Sequence, residues 1–381
     1  MHPNAQFKTS NSIWRGNPGC HVIVMFMPEG VIPETFQGGM MRILIVSDAW
    51  PPQVNGVVRT LQTVGRELGK RGHEVHYITP EGHRTWAIPS YPEIKLSLVG
   101  SASIGHEIDA IKPQAIHIAT EGPLGWAARR ACLRRGLPFT TSFHTRFAEY
   151  IETRLPIPGI GGLMWRLLRR FHSPSRAVMT PTATIAKELE TRKFVNVKVW
   201  TRGVDHRKFN DLPRDYFPLP RPIVLYAGRV VKEKNMEAFL GLATPGTKVV
   251  VGDGPERKLY EDKHPAVVFT GYLREDTYAR AMSAADVFVF PSLTDTFGLV
   301  MIEAMACGTP VAAFNVASPI DVVESGVTGE LDRDLSIAVA SALKLDRDGV
   351  RRGAAKFTWE RVAEMFESWL VPLDAASRRR A

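Results

Sequence analysis

Short apolar runs separated by segments of helical period recur along the chain in two sets. In the first half they fall at residues 42–47 (RILIVS), 73–79, 115–118, 139–142, 177–180 and 197–200; in the second at 223–226, 249–251, 267–270, 287–290 (VFVF) and 311–314. Each run is too short for a helix and shows little polar alternation, the pattern of a strand covered on both faces. Between the runs, Val58, Leu61, Val64 and Leu68 follow helical spacing as far as Gly72, and Leu299, Met301, Ile302 and Met305 do so up to Gly308-Thr309-Pro310. Residues 123–135 and 184–192 predict further helices, and residues 358–370 predict a last one with Trp359, Val362, Met365, Phe366 and Trp369 on one face. Strand and helix alternating twice predict an α/β chain with two doubly wound parallel sheets. The expected boundaries are 41–205 and 221–357, joined by a linker at 206–220 that carries Pro213, Pro218 and Pro220, with residues 358–381 forming the final helix and a basic tail, Arg378–Arg380. Residues 1–40 show no sustained period and are expected to be a disordered extension, the fold beginning at Met41.

Composition changes this picture little. With 381 residues, 44% hydrophobic and 23% charged, the chain is long enough for two cores and ordinary for a globular protein. Cys20, Cys132 and Cys307 lie far apart without metal-ligand spacing, which predicts a reducing, cytoplasmic setting rather than a disulfide framework. No apolar run approaches the roughly 20 residues that span a bilayer, and residues 22–27 are shorter than a signal-peptide core. Charge changes the picture more. The net +9 is concentrated between Thr120 and Arg176, where ten Arg face three Glu, a net +7. Inside that stretch, residues 163–172 mix Trp165, Leu167, Leu168 and Phe171 with Arg166, Arg169 and Arg170. Such a helix either lies in a membrane interface with its arginines on anionic headgroups or packs half of itself on its own domain. No nucleic-acid-binding motif accompanies the charge.

Candidate chemistry gathers where strands end. After the run 287–290 comes SLTDTFGLVMIEAMACGTP, residues 292–310, with Gly298 at a strand-to-helix junction. The first N–H groups of a helix have no internal partner and its dipole is positive there, which suits a diphosphate. Asp295 and Glu303, eight residues apart, flank that point. An anion site between two carboxylates suits a ligand that is anionic in the middle and rich in hydroxyls at both ends, such as a sugar nucleotide. A second phosphate-binding layout follows residues 223–226, where Gly228 gives clearance and Arg229 and Lys234 supply charge. The loop 48–56 brings Gly56 to the carboxyl end of the first strand, and no G-x-G-x-x-G follows that strand, which disfavours nicotinamide and flavin cofactors. His144, directly after the run 139–142, either faces the cleft or packs, and Arg146 and Arg202 are further candidates at its edge. Asp332-Arg-Asp334 and Asp346-Arg-Asp348 match a D-x-D metal motif, but both adjoin helices, so capping explains them better.

The stretch 292–310 resembles the carboxylate-x7-carboxylate signature of retaining glycosyltransferases of family 4, and GRVVKEKN at 228–235 and SFHTRFAEY at 142–150 resemble two further segments of that family. The resemblance implies the GT-B fold, in which two Rossmann-like domains face a cleft and the last helix crosses back to the first. It implies that His144, Asp295, Arg229 and Lys234 carry the reaction: Arg229 and Lys234 hold the diphosphate, Asp295 the sugar hydroxyls, and His144 the sugar near its reacting carbon. Gly56, Leu273, Phe297, Gly298, Leu299 and Glu303 are implied to bind the donor, with Glu303 on the ribose and the turn at Leu273 on the base, where Glu275 is a weak pointer to guanine. Asp at 295 departs from the commoner Glu and shortens the reach to the sugar. The family's transfer proceeds with retention, without metal or cofactor, from a UDP- or GDP-sugar co-substrate.

Among family members the chain is similar to bacterial enzymes that place mannose, glucose or an acidic hexose on membrane lipids, including GDP-mannose-dependent mannosyltransferases and glycosyl- and sulfoquinovosyl-diacylglycerol synthases. With the basic region 129–176, this implies a lipid acceptor such as diacylglycerol, a peripheral position at the inner face of the cell membrane, and no nucleic-acid partner. Transfer to a soluble sugar or polysaccharide is the alternative, and a non-catalytic sugar-nucleotide binder is a second one that the presence of all the candidate residues argues against.

Overall fold

The computed structural model describes residues 23–24, 39–53, 55–88, 91–154 and 157–373. The expected extension, apart from Ile23–Val24 and the residues from 39 on, lies outside the described residues, as do Cys20 and the tail Arg378–Arg380. In chain order the first half carries β1 (Ile23–Val24), β2 (Arg42–Val46), β3 (Glu74–Ile78), β4 (Thr85–Ile88), β5 (Tyr91–Ser97), β6 (Ala115–Ile118), β7 (Thr140–Ser142), β8 (Val178–Thr180) and β9 (Val197–Val199). Its helices are α1 (Gly56–Lys70), α2 (Ser101–Ile111), α3 (Pro123–Arg135), α4 (Phe147–Arg154), α5 (Ile160–His172) and α6 (Ala183–Thr191). The second half carries β10 (Ile223–Ala227), β11 (Thr247–Val251), β12 (Val268–Gly271), β13 (Val287–Phe290), β14 (Val311–Phe314) and β15 (Gly329–Asp332). Its helices are α7 (Met236–Leu240), α8 (Arg257–Lys263), α9 (Glu275–Ala284), α10 (Leu299–Ala306), α11 (Pro319–Val322), α12 (Leu335–Ala342) and α13 (Arg347–Ala354), and α14 (Trp359–Trp369) is the last helix among the described residues.

The sheets run in the orders β1-β3-β2-β6-β7-β8-β9 and β12-β11-β10-β13-β14-β15. Pairing is parallel throughout except for β1, which lies antiparallel on the β3 edge with Ile23 opposite Tyr77. The two doubly wound sheets match the fold class that the alternating pattern predicts. The reason is visible in β2, where Ile43 and Ile45 enter one core with Leu61 of α1, while Leu44 and Val46 enter another with Ile104 of α2 and Leu124 of α3. In β13, Phe288 and Phe290 face one layer and Val287 and Val289 the other. Helices cover both faces, so the buried positions of such strands are mostly apolar on both sides.

The hairpin β4–β5 between β3 and α2 is not legible in the pattern; Pro92 interrupts it, and proline inside a run argues against a strand. α14 packs Trp359, Val362 and Phe366 onto Ile43, Leu61 and Trp200 of the first half. The Trp200 indole N–H donates to Val362 O at 3.0 Å, and Arg71 pairs with Glu364 at 3.1 Å and Glu367 at 2.9 Å. The chain therefore finishes the second half and returns to the core of the first.

In both sheets the first strand of the α/β repeat is internal: β2 lies between β3 and β6, and β10 between β11 and β13. The winding direction reverses there, which opens a crevice at the carboxyl ends of the strands. The loops carrying Gly56, and Arg229 with Lys234, leave from those two points.

Candidate active site

The loop after β2 is tied at both ends by hydrogen bonds. Asp48 accepts hydrogen bonds from Leu124 N at 2.9 Å and Gly125 N at 3.1 Å, satisfying the start of α3, and from the Thr120 hydroxyl at 2.9 Å. At the other end of the loop, Asn55 Oδ1 caps α1 by accepting from Val57 N and Val58 N, both at 3.0 Å. Gly56 thus sits on a held turn, and a Cβ there would stand 3.3 Å from Leu299 Cδ1 of the second half. The two halves meet at that point.

Across the cleft, α10 starts at Gly298 with no side-chain cap. Gly298 has φ of +75°, and a Cβ on it would lie 2.7 Å from Phe290 Cζ, so only glycine fits the junction. Helix N–H groups without internal partners and without a cap form an anion site. Lys234, on a one-turn 3₁₀ segment after β10, places Nζ 2.5 Å from Asp295 Oδ1. Arg229 is exposed at the end of the same strand, and its carbonyl accepts from the Tyr226 hydroxyl at 2.9 Å. Phe297 is buried with its ring edge-on to Phe357 at 6.2 Å, which leaves its backbone to line the loop.

Glu303 is 1% exposed. One carboxylate oxygen accepts from the Tyr278 hydroxyl at 2.8 Å, and the other is ion-paired with Arg59 Nη1 of α1. Burial, reinforced by the Glu303 charge, pushes the Tyr278 hydroxyl well above its ordinary range, so it stays a donor. His144, just past β7, is buried; its carbonyl accepts from the Thr296 hydroxyl at 2.6 Å, tying the first half to the loop that holds Asp295. A third tie joins Asp321 Oδ1 of α11 to Thr184 N of α6 at 3.1 Å.

The structure therefore brings Gly56, His144, Lys234, Asp295, Phe297, Gly298, Leu299 and Glu303 to one cleft, with Arg229 at its edge. Leu273, after the edge strand β12, is half-buried against the same core cluster as Leu299 and Phe297. The side chain of Glu275 lies outside the described residues. Arg146 is engaged by Glu188, at 2.7 Å, and Glu149, at 3.2 Å. Arg59, Tyr278 and Thr296 escape a reading of the sequence: Arg59 and Glu303 are 244 positions apart, and no spacing rule connects them. The D-x-D motifs cap helices, Asp334 accepting from Ser336 N at 2.9 Å and Asp346 from Gly349 N at 2.7 Å.

The arginine-rich region divides. Leu168 and Phe171 of α5 are buried, and Trp165 lies between the Phe143 ring, 6.0 Å away, and the Arg192 guanidinium, 4.0 Å away. Leu163 and Leu167 remain outside at 60% and 42% exposure beside Arg166, Arg169 and Arg170. Arg129 is used internally, donating to the Phe171 carbonyl at 2.9 Å and the Arg170 carbonyl at 2.7 Å, and Arg135 pairs with Asp109 at 2.8 Å. One face of the helix thus packs on its own domain, and the other presents leucine and arginine to the outside. Among the described residues no helix is long and apolar enough to cross a membrane.

Residues 54–208 match the family model described as Glycosyltransferase Family 4, and residues 221–345 the model described as Glycosyl transferases group 1. A GDP-mannose-dependent alpha-mannosyltransferase of Mycolicibacterium smegmatis is 32% identical over 320 residues, which cover 76% of this chain and 84% of that protein. The chain belongs to glycosyltransferase family 4. Within that family, an alpha-monoglucosyldiacylglycerol synthase of Streptococcus pneumoniae is 26% identical over 372 residues, covering 86% of this chain and 83% of the other. The fold agrees with that of sucrose-phosphate synthase from Thermosynechococcus elongatus at a TM-score of 0.66 and 20% identity, over 86% of this chain and 98% of that one. The chain is a GT-B glycosyltransferase that takes its sugar from a nucleotide donor, and across its cleft the loops of Gly56 and His144 face those of Lys234 and Gly298.

Proposed function

We propose that this family 4 enzyme moves a hexose from a UDP- or GDP-sugar to a membrane lipid such as diacylglycerol, with retention of configuration. The observation that carries the reading is the cleft, in which an uncapped helix start, two cations and two carboxylates from one half lie opposite His144 and Arg59 from the other. Arg229, Lys234 and the first N–H groups of α10 stabilise the departing diphosphate, a fixed set of positive groups in the place where charge develops. Asp295 and the amides of Phe297, Gly298 and Leu299 orient the sugar, and His144 supports its reacting carbon. The acceptor hydroxyl attacks from the face the phosphate leaves; the phosphate oxygen takes its proton, and the sugar passes through an oxocarbenium-like state. No step is assigned to a metal or to a further cofactor.

Glu303 is the proposed ribose ligand, and Arg59 now holds one of its oxygens. A ribose diol there competes with that guanidinium for the carboxylate, while the Tyr278 bond lies within one half and stays. Removing the guanidinium takes away a competitor for the buried Glu303 carboxylate, so Arg59→Ala is expected to tighten UDP or GDP binding in calorimetry. Weaker binding would mean that Arg59 itself holds the nucleotide.

The acceptor reading rests on α5, whose exposed Leu163 and Leu167 alternate with arginines in the manner of an interfacial helix, and it gains support from the diacylglycerol-glucosylating relative. The protein would then work peripherally at the cytoplasmic face of the membrane. Each leucine buried in lipid contributes about 1.5–3 kcal/mol, so Leu163→Glu with Leu167→Glu is expected to cut sedimentation with anionic vesicles by more than about tenfold. Wild-type protein that fails to sediment with such vesicles at low salt would remove the membrane from the proposal. The decisive assay incubates pure protein with a panel of UDP- and GDP-sugars and diacylglycerol vesicles and identifies the product by mass. A product formed only on soluble sugars would overturn the lipid acceptor.

A further inference from the structure

Behind His144 stands a residue that neither the donor site nor the acceptor face accounts for. Arg202, on the loop after β9, is 4% exposed. Its Nη1 donates to the Trp200 carbonyl at 2.6 Å and the Thr201 carbonyl at 3.0 Å, and its guanidinium lies 4.6 Å from the centre of the Trp200 ring. Its Nη2 lies 2.9 Å from His144 Nδ1. These contacts place the cation among carbonyls, an aromatic face and one imidazole nitrogen, with no carboxylate in that set.

A guanidinium has donors and no acceptor. The His144 nitrogen facing it must therefore accept, which makes the ring neutral with its proton on Nε2. That Nε2 is buried and has no hydrogen-bond partner among the described residues. A buried N–H without a partner is unfavourable in the free protein and is satisfied when an oxygen arrives. The charged and titratable groups around the ring work in the same direction. Arg202 faces it from the β9 loop, His117 from β6 and His172 from α5. Glu121, a neighbouring carboxylate, sits on His172 Nε2 at 3.2 Å. His117 is itself satisfied by the hydroxyls of Thr140 at 2.9 Å and Ser142 at 2.8 Å.

We propose that Arg202 is a positioning residue that locks His144 as the neutral Nε2–H tautomer, so that the ring donates a hydrogen bond to an oxygen of the bound sugar and neither takes up nor releases a proton. Desolvation, followed by the repulsion of Arg202, holds His144 well below the usual histidine range, and Arg202, drawn down by burial to about 9, is still cationic at neutral pH. The role of the N–H rests on the assignment of His144 to the donor sugar; the tautomer does not.

Ring-nitrogen NMR of the full-length protein between pH 5.5 and 8 tests this, with the His144 signal identified by its loss in His144→Gln. The wild-type ring is expected to show a protonated Nε2 and a bare Nδ1 throughout. In Arg202→Met the ring is expected to titrate inside that range, and kcat/KM to gain an acid limb, falling about tenfold between pH 7.5 and 5.5 relative to wild type. Arg202→Lys, which restores a donor, is expected to recover part of the flat profile. A wild-type His144 that carries its proton on Nδ1, or that titrates inside the range, overturns the proposal whether or not Arg202→Met folds. An Arg202→Met enzyme with wild-type turnover and pH profile overturns it equally. Loss of transfer with every sugar tried, beside the expected ring signals, would instead count against the glycosyl-transfer assignment and leave the lock intact.

Discussion

Lys234→Ala is expected to lower kcat/KM by about a thousandfold while the unfolding midpoint stays within a degree or two. Two effects act together. The ammonium is a point charge aimed at the leaving diphosphate, and removing one such group costs about a hundred- to a thousandfold. Its loss also releases Asp295, whose Oδ1 it now holds at 2.5 Å, so that an unpaired carboxylate stands beside the incoming phosphate. Folding is little affected, because the side chains of Lys234 and Asp295 are 31% and 24% exposed and a pair in contact with water contributes about 0–1 kcal/mol. A second substitution separates the effects: Asp295→Asn in the Lys234→Ala background removes the repulsion, and it is expected to recover part of donor binding without recovering turnover. Steady-state kinetics with the preferred sugar nucleotide decide this, and turnover of Lys234→Ala within twofold of wild type would end the assignment of Lys234 to the diphosphate.

Gly298→Ala is expected to damage both stability and activity. The residue sits at φ of +75°, where an L side chain costs about 1–2 kcal/mol, and the new Cβ would stand 2.7 Å and 2.9 Å from Phe290 ring carbons and 3.0 Å from Met301 Cε. Met301 can move its methyl, but Phe290 belongs to the core of the second half and is 4% exposed. A close-packed core has no space for the ring to retreat into, so the junction must shift instead, at a further cost of about 1–3 kcal/mol. The first turn of α10 moves with it, and the amides proposed to hold sugar and phosphate lose their alignment. Denaturant unfolding is expected to show a loss of about 2–5 kcal/mol, with transfer reduced at least about a hundredfold. A variant with the wild-type midpoint and wild-type kinetics would show that the junction is soft and that the anion site is built elsewhere.

Much of the architecture is legible in the order of the amino acids. The doubly wound sheets follow from runs such as residues 43–46 and 287–290, because a strand buried on both faces favours apolar side chains at successive positions. Helix α10 is legible from its apolar period and from Gly308-Thr309-Pro310, and the spacing of Asp295 and Glu303 around Gly298 points to an anion with hydroxyls on either side. Helix capping at Asp334 and Asp346 is legible too, since a short acidic side chain before a helical segment has a local partner within three residues. The hairpin β4–β5 is not, because a proline interrupts one of its strands.

What the sequence by itself determined, then, is local: which segments are strands, where helices begin, and which loops carry glycine, cation and carboxylate together. Tertiary structure decided the pairings. Arg59 reaches Glu303, Thr296 reaches the His144 carbonyl, and Arg202 reaches His144 Nδ1, each between residues far apart in the chain. Hydrogen bonds and ion pairs are short-ranged, so which of several arginines meets a given acceptor depends on how the two halves close, a matter of summed packing across the interface that no spacing along the chain encodes. The same holds for α5, where the period announces an amphipathic helix but only packing against Phe143 and Arg192 settles that Trp165 belongs to the domain and Leu163 and Leu167 to the outside.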